Sequence, residues 1–420
     1  MKKIVCIIML LSFLLFFPLS ADTIQASIDE RGIISSNTTW AKSGSPYFLT
    51  GPVAVMQGST LIIEEGVTVY FNNNYLQVNG TLQIIGNTDD KTILDGGGLG
   101  AEIQFTQDSP SWNEATGTGS IIKNAILNSI SIDINNTSPN ISGNTLSGHI
   151  NCRYSSSRIV NNDITGIGSP EIIEIFNSSV FISKNFINNN VIAILTLSDS
   201  SLLSENTIID GSIGISSDGS TLLKNVILGC EVGIEAIHSS TIEQNLLINN
   251  NQGIRMKGYF NKIQYNTITN NTVGIYTYKS VILNYNNIFA NSEYNLRLAE
   301  EVTQNIDASN NWWGTTDSQA ISKKIYDNKN DFNLGAVNFS PILNAPNAAA
   351  PTVPQVLPTS MPNQPVNGTT NPSASPNSSD FQAGGLFGIG YIQLIETSLL
   401  VLIAVLLVVI AVVLHKRSVK

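Results

Sequence analysis

The chain has 420 residues, 42% of them apolar and only 12% charged, with a formal net charge of −10. So acidic a balance argues against nucleic acid and other polyanions as ligands. Low charge with 32 glycines and a wealth of Asn, Ser, Thr and Ile suits an elongated β protein and argues against a helical enzyme.

Residues 1–21 open with Lys2-Lys3, continue through an apolar run and end in Pro18-Leu19-Ser20-Ala21, the pattern of a secretory signal peptide. Residues 22–57 are expected to cap the open end of the repeat region that begins at Gly58, because a bare strand edge invites foreign pairing. From Gly58 apolar residues alternate in short bursts, Leu61/Ile63, Val67/Val69/Phe71, Leu76/Val78 and Leu82/Ile84, separated by Gly66 and Gly80. These read as the first coils of a solenoid occupying residues 58–343. Residues 96–119, with Trp112 and little periodicity, read as an excursion from the stack.

From residue 121 to 313 one phrase, aliphatic-x-x-Asn-x-aliphatic, recurs at intervals of 18 to 24 residues. Its asparagines are Asn124, Asn144, Asn162, Asn185, Asn206, Asn225, Asn245, Asn266, Asn286 and Asn310. Flanking columns begin with Ile121, Ile141 and Ile159 on one side and Ile126, Leu146 and Ile164 on the other. A period of roughly 20 residues with β-type runs is the mark of a β-solenoid, in which like residues of successive coils stack about 4.8 Å apart. Stacked asparagines would pass hydrogen bonds from coil to coil and tolerate the left-handed backbone of a turn. A second phrase, apolar-Gly-Ile, stands at 213–215, 232–234 and 273–275; strict alternation turns its glycine outward, whereas a corner would bend there.

Asn310-Asn311-Trp312-Trp313-Gly314 closes the repeats, the tryptophans lidding the last coil, and 317–327 is predicted as a short amphipathic helix. Residues 344–391, poor in charge and dense in Pro, Asn, Ser and Thr, read as a stalk. They carry Asn-x-Ser/Thr sequons at Asn367 and Asn377, so the chain has glycoprotein potential. The run 392–414 is long and apolar enough to be a transmembrane helix, and the basic tail 415–420 places its end in the cytoplasm. The expected product is a single-pass cell-membrane protein with its solenoid on the extracellular side. Cys152 and Cys230 fall four coils apart, about 19 Å along the axis, so they are expected to stay thiols.

The Gly-Ser-Thr-Leu at 58–61, the Asn and Gly-Ile coils and the closing Asn-Asn-Trp-Trp-Gly together resemble the right-handed parallel β-helix proteins of the pectate-lyase-like superfamily. Within it the chain looks most like the NosD-like proteins and the carbohydrate-binding and sugar hydrolase repeat domain. The resemblance implies the fold. For function it implies a range, from polysaccharide lyases and glycosidases to surface adhesins and a copper-maturation factor.

Catalytic and metal motifs are wanting. Asn87-Thr88-Asp89-Asp90 and Arg255-Met256-Lys257 echo glycosidase signatures of this fold but lie out of context, and no His-Gly accompanies them. The exported histidines, His149 and His238, stand coils apart, and nothing in the sequence signals a metal site or a cofactor. The candidate surface is the strand face just beyond the Gly-Ile step, carrying Glu174/Phe176, Leu195/Leu197, Ser216/Asp218, Glu235/Ile237, Arg255/Lys257 and Tyr276/Tyr278. Mixed charge with tyrosines on a flat array suits extracellular polysaccharide or surface glycans; Glu235 pairing with Arg255 across coils would by itself make it an ordinary strand face. Binding without catalysis is the favoured reading, and a polysaccharide lyase or glycoside hydrolase the alternative.

Overall fold

The computed structural model describes residues 28–359 apart from 99, 168, 199 and 280. The expected signal peptide, transmembrane helix and cytoplasmic tail lie outside them, as does most of the stalk. No helix among the described residues is long and apolar enough to cross a membrane.

The chain winds into a parallel β-solenoid of the right-handed type, about 13 turns of about 21 residues. Each regular coil contributes a three-residue strand such as Ile141's Asn140–Ser142 to a 12-stranded sheet, then crosses a corner into a 22-stranded sheet. In the middle coils the second and third runs fuse into single bent strands, Phe186–Leu197, Thr207–Asp218 and Val226–His238. Ile122, Ile141, Ile159, Ile182, Leu203, Leu222, Ile242, Ile263 and Leu283 stack in register and are at most 1% exposed. A second stack runs from Leu127 to Ile288 and a third from Ile132 to Leu296. Burying each such side chain stabilises the fold by roughly 1.5–3 kcal/mol, and the parallel ladder alone fixes which residue meets which.

The asparagine column forms, with its ends shifted by one. Ile122 opposes Ile141 and Leu127 opposes Leu146, which puts Ala125, not Asn124, beside Asn144. At the far end Asn286 donates to Oδ1 of Asn311, not of Asn310. The reason is the corner itself. The left-handed residue is the one before each ladder asparagine, whatever its type: Lys184, Glu205, Lys224, Gln244, Tyr265, Tyr285 and Asn310 all have φ between 55° and 60°. The ladder asparagine then turns inward, where its amide satisfies backbone groups that the corner strips of strand partners. Asn250, Asn271 and Asn291 build a second, shorter ladder at the next corner.

The glycine of the Gly-Ile phrase points in, not out. A Cβ on Gly253 would stand 2.6 Å from the carbonyl oxygen of Gly274 and 2.8 Å from Ile268 Cγ2. The bend at the corner, not access for a ligand, therefore accounts for it, because alternation of two fails wherever a strand turns.

Stacking already begins before Gly58: Ile28–Ile34 pairs with Tyr47–Val55 and Thr38–Trp40 with Thr60–Ile63. Trp40 is buried there against Tyr47, ring centroids 5.2 Å apart. The excursion is shorter than 96–119, for Ala101–Phe105 pairs on both sides within the stack. At the other end Trp313 is buried and Trp312, half-buried, bridges to Asn287. The helix runs Ser318–Lys323, N-capped by Asp317, and the chain then rejoins the stack at Ile325–Tyr326. Residues 347–351 run back along the solenoid flank. Asn347 exchanges hydrogen bonds with Asn287, and the Ala349 and Pro351 carbonyls accept from Gln244 and Thr267.

Candidate functional site

On the outer face the pairing Glu174–Leu195–Ser216–Glu235–Arg255–Tyr276 is one unbroken row, one residue per coil. The flat strand positions each side chain by alternation, because the next residue inward is a core aliphatic such as Ile234, Ile254 or Ile275. The companion row is less regular. Phe176 opposes Leu197, but a bulge after Ser217 sets Asp218 opposite His238 and displaces Ile237.

Glu235, Arg255 and Lys257 form one cluster. Glu235 is only 6% exposed, and its Oε1 takes Lys257 Nζ at 2.8 Å and Arg255 Nη1 at 3.4 Å. Arg255 also donates from Nε to Gln252 Oε1 at 2.8 Å. Two cations against one buried carboxylate leave the cluster with a net positive charge in an otherwise acidic chain. Tyr276 and Tyr278 follow on the next coil, edge to face at 5.0 Å, and burial together with Tyr278 raises the Tyr276 phenol above its ordinary value.

The remaining expected residues stand apart. Asp218 lies 3.6 Å from His238. Glu174 and Phe176 sit below Leu195 and Leu197, and Phe176 meets Tyr154 edge-on at 6.1 Å.

The row continues past the stretch that sequence reasoning selected, through Arg297 and on to Tyr326. The Arg297 guanidinium carbon lies 5.6 Å from the Tyr276 ring, 6.0 Å from Tyr294 and 5.1 Å from Tyr326. Asn295-Leu296 replaces Gly-Ile in that coil, so only the count of residues from Ile288 could have signalled it. In the other direction the row runs down to Asn151 and Asp133, where Ser131 Oγ meets His149 Nδ1 at 2.9 Å and Arg153 approaches Asp133 at 3.6 Å.

Residues 216–330 match the family model described as periplasmic copper-binding protein (NosD), a segment that takes in the row from Ser216 to Tyr326. The NosD-like resemblance of the coils is thereby matched. No curated protein matches the chain. The side chains of the matched segment do not suit copper. His238 lies 3.6 Å from Asp218, while Cys230 and Met256 are buried in the core. Among the described residues no three His, Cys, Asp or Glu side chains are grouped to hold a metal ion.

Proposed function

We propose that this is a membrane-anchored extracellular β-helix protein that binds glycans or related cell-envelope partners without transforming them. The carrying observation is the row of Glu235, Arg255 and Tyr276 flanked by Lys257 and Tyr278, in which fixed cations alternate with aromatic faces on a rigid sheet. Sugars are recognised by such combinations, their apolar faces on rings and their hydroxyls on charged and amide groups. The coil spacing of about 4.8 Å repeats this chemistry along the axis, as a chain-like ligand requires. A periplasmic or extracellular location agrees with the matched family's description.

Binding of the full chain to a saccharide panel tests the reading, with Arg255→Ala and Tyr276→Ala as probes. Arg255→Ala leaves Glu235 its closer partner Lys257, so the fold should hold. Lost binding at an unchanged melting temperature supports the site; unchanged binding in both variants makes the face mere scaffold. Release of uronic acid or sugar from any polysaccharide would instead favour the lyase or hydrolase alternative. Topology is tested separately, since protease added to intact cells should remove the solenoid.

A further inference from the structure

Resting on the glycan-binding reading, we infer that Arg297 is the specificity element of this face and selects saccharides that carry a single carboxylate. Three observations meet at this residue. Arg255 and Arg153 each have a carboxylate within ion-pair distance, Glu235 and Asp133, but among the described residues Arg297 has none. Its flat guanidinium lies among three rings, Tyr276, Tyr294 and Tyr326, the latter two edge to face at 5.3 Å. Its Nε is buried without a hydrogen-bond partner.

A guanidinium is charged at every relevant pH, and its donors all point outward in one plane. Aromatic neighbours hold the flat cation, and among the described residues none accepts a hydrogen bond from its side chain. The side chain is thus oriented in advance while its hydrogen-bonding capacity stays unspent, so little freedom is lost when an anion arrives. With Nε buried out of a ligand's reach, a carboxylate would meet the two terminal Nη groups through two parallel hydrogen bonds, and the tyrosines beside it supply the stacking surface for the ring that bears it. One carboxylate is the expected number, because the net charge of −10 repels a polyanion.

The test prints matched triplets on the panel: a neutral saccharide, its form with one glucuronate, and the methyl ester of that glucuronate. The full chain should prefer the free acid over both others by about tenfold, the usual weight of a charged hydrogen-bonded pair. Arg297→Gln should abolish the preference while retaining the weaker neutral binding. Equal binding of acid and ester by the wild type overturns the inference without touching the broader reading, and needs no variant to fold. A preference that survives in Arg297→Gln overturns it as well. Binding to nothing on the panel overturns both.

Discussion

Asn225 Nδ2 lies 3.0 Å from Asn245 Oδ1, while Asn225 Oδ1 in turn accepts from both the backbone N–H and the side-chain amide of Asn206. Asn225 Nδ2 also donates to the Leu203 carbonyl at 2.9 Å. Asn225→Ala therefore strips the Asn206 backbone N–H and the Leu203 carbonyl of this partner and leaves Asn245 Oδ1 only the Asn225 backbone N–H, and should lower unfolding stability by about 3 kcal/mol, since each buried unpaired group costs on the order of 1–3 kcal/mol. Asn310, left-handed at φ 58° and outside the ladder, is the control. Asn310→Gly should cost less than about 1 kcal/mol, because glycine adopts that backbone freely. Equal losses in urea melts of the two variants would falsify the ladder assignment.

The inward glycines make a second expectation. Gly253→Ala pushes a methyl group against the Gly274 carbonyl and the Ile268 side chain, with Asn271 Nδ2 also close at 3.1 Å. Backbone of the next coil cannot yield without disturbing its own pairing, so a loss of about 1–3 kcal/mol is expected. Gly117, with open space around it and φ of 65°, is a contrast site: Gly117→Asn should leave the denaturant midpoint nearly unchanged. A Gly253→Ala protein as stable as wild type would return that column to the outer surface.

The fold was legible in the columns because a solenoid repeats its demands once per coil. Leu203, Leu222 and Ile242 answer the same neighbour again and again, and the sequence shows it. What could not be read was the direction of a side chain at a corner. Asn310-Asn311 offers the same letter to the left-handed position and to the ladder, and only the pairing separates them. For the site, period-two alternation holds on flat strand, which is why Glu235, Arg255 and Tyr276 fell into one row. Ile237 was lost to a bulge that no residue type announces, Arg297 to the Asn295-Leu296 that stands in place of Gly-Ile, and Tyr326 to a helix inserted before its coil.

Cys230 lies buried at the foot of the shorter asparagine ladder, its backbone N–H donating to Asn250 Oδ1. Burial, with the nearby charge of Asp210, pushes its thiol up to about 12. The thiolate is the reactive species, so at pH 8 the folded chain should resist alkylation at position 230 and react there only in denaturant. Cys152, 1% exposed in the core four coils away, should behave alike. Peptide mapping that finds 152 and 230 joined by a disulfide would overturn the coil register.

Asp133 sits at the lower end of the outer row, half-buried, with its carboxyl pushed above the ordinary value of 3.8 first by burial and then by Glu102, against the opposing pull of Arg153 and His149. A carboxyl whose value rises on folding is penalised in its charged form. Its contribution is therefore most favourable below the ordinary value and is lost as pH climbs through the higher folded value. Asp133→Asn removes that penalty, and also removes the ion pair with Arg153, which at 3.6 Å and partly exposed is worth little. The variant should melt higher than wild type at pH 7, by on the order of 1–3 °C for a repeat domain of this size. The gain should vanish as pH falls below 3.8, where the wild-type carboxyl is neutral in both states. A variant that instead melts lower at pH 7 and converges in acid would show that the Arg153 contact outweighs desolvation, and that this end of the row is held by charge and not merely tolerating it.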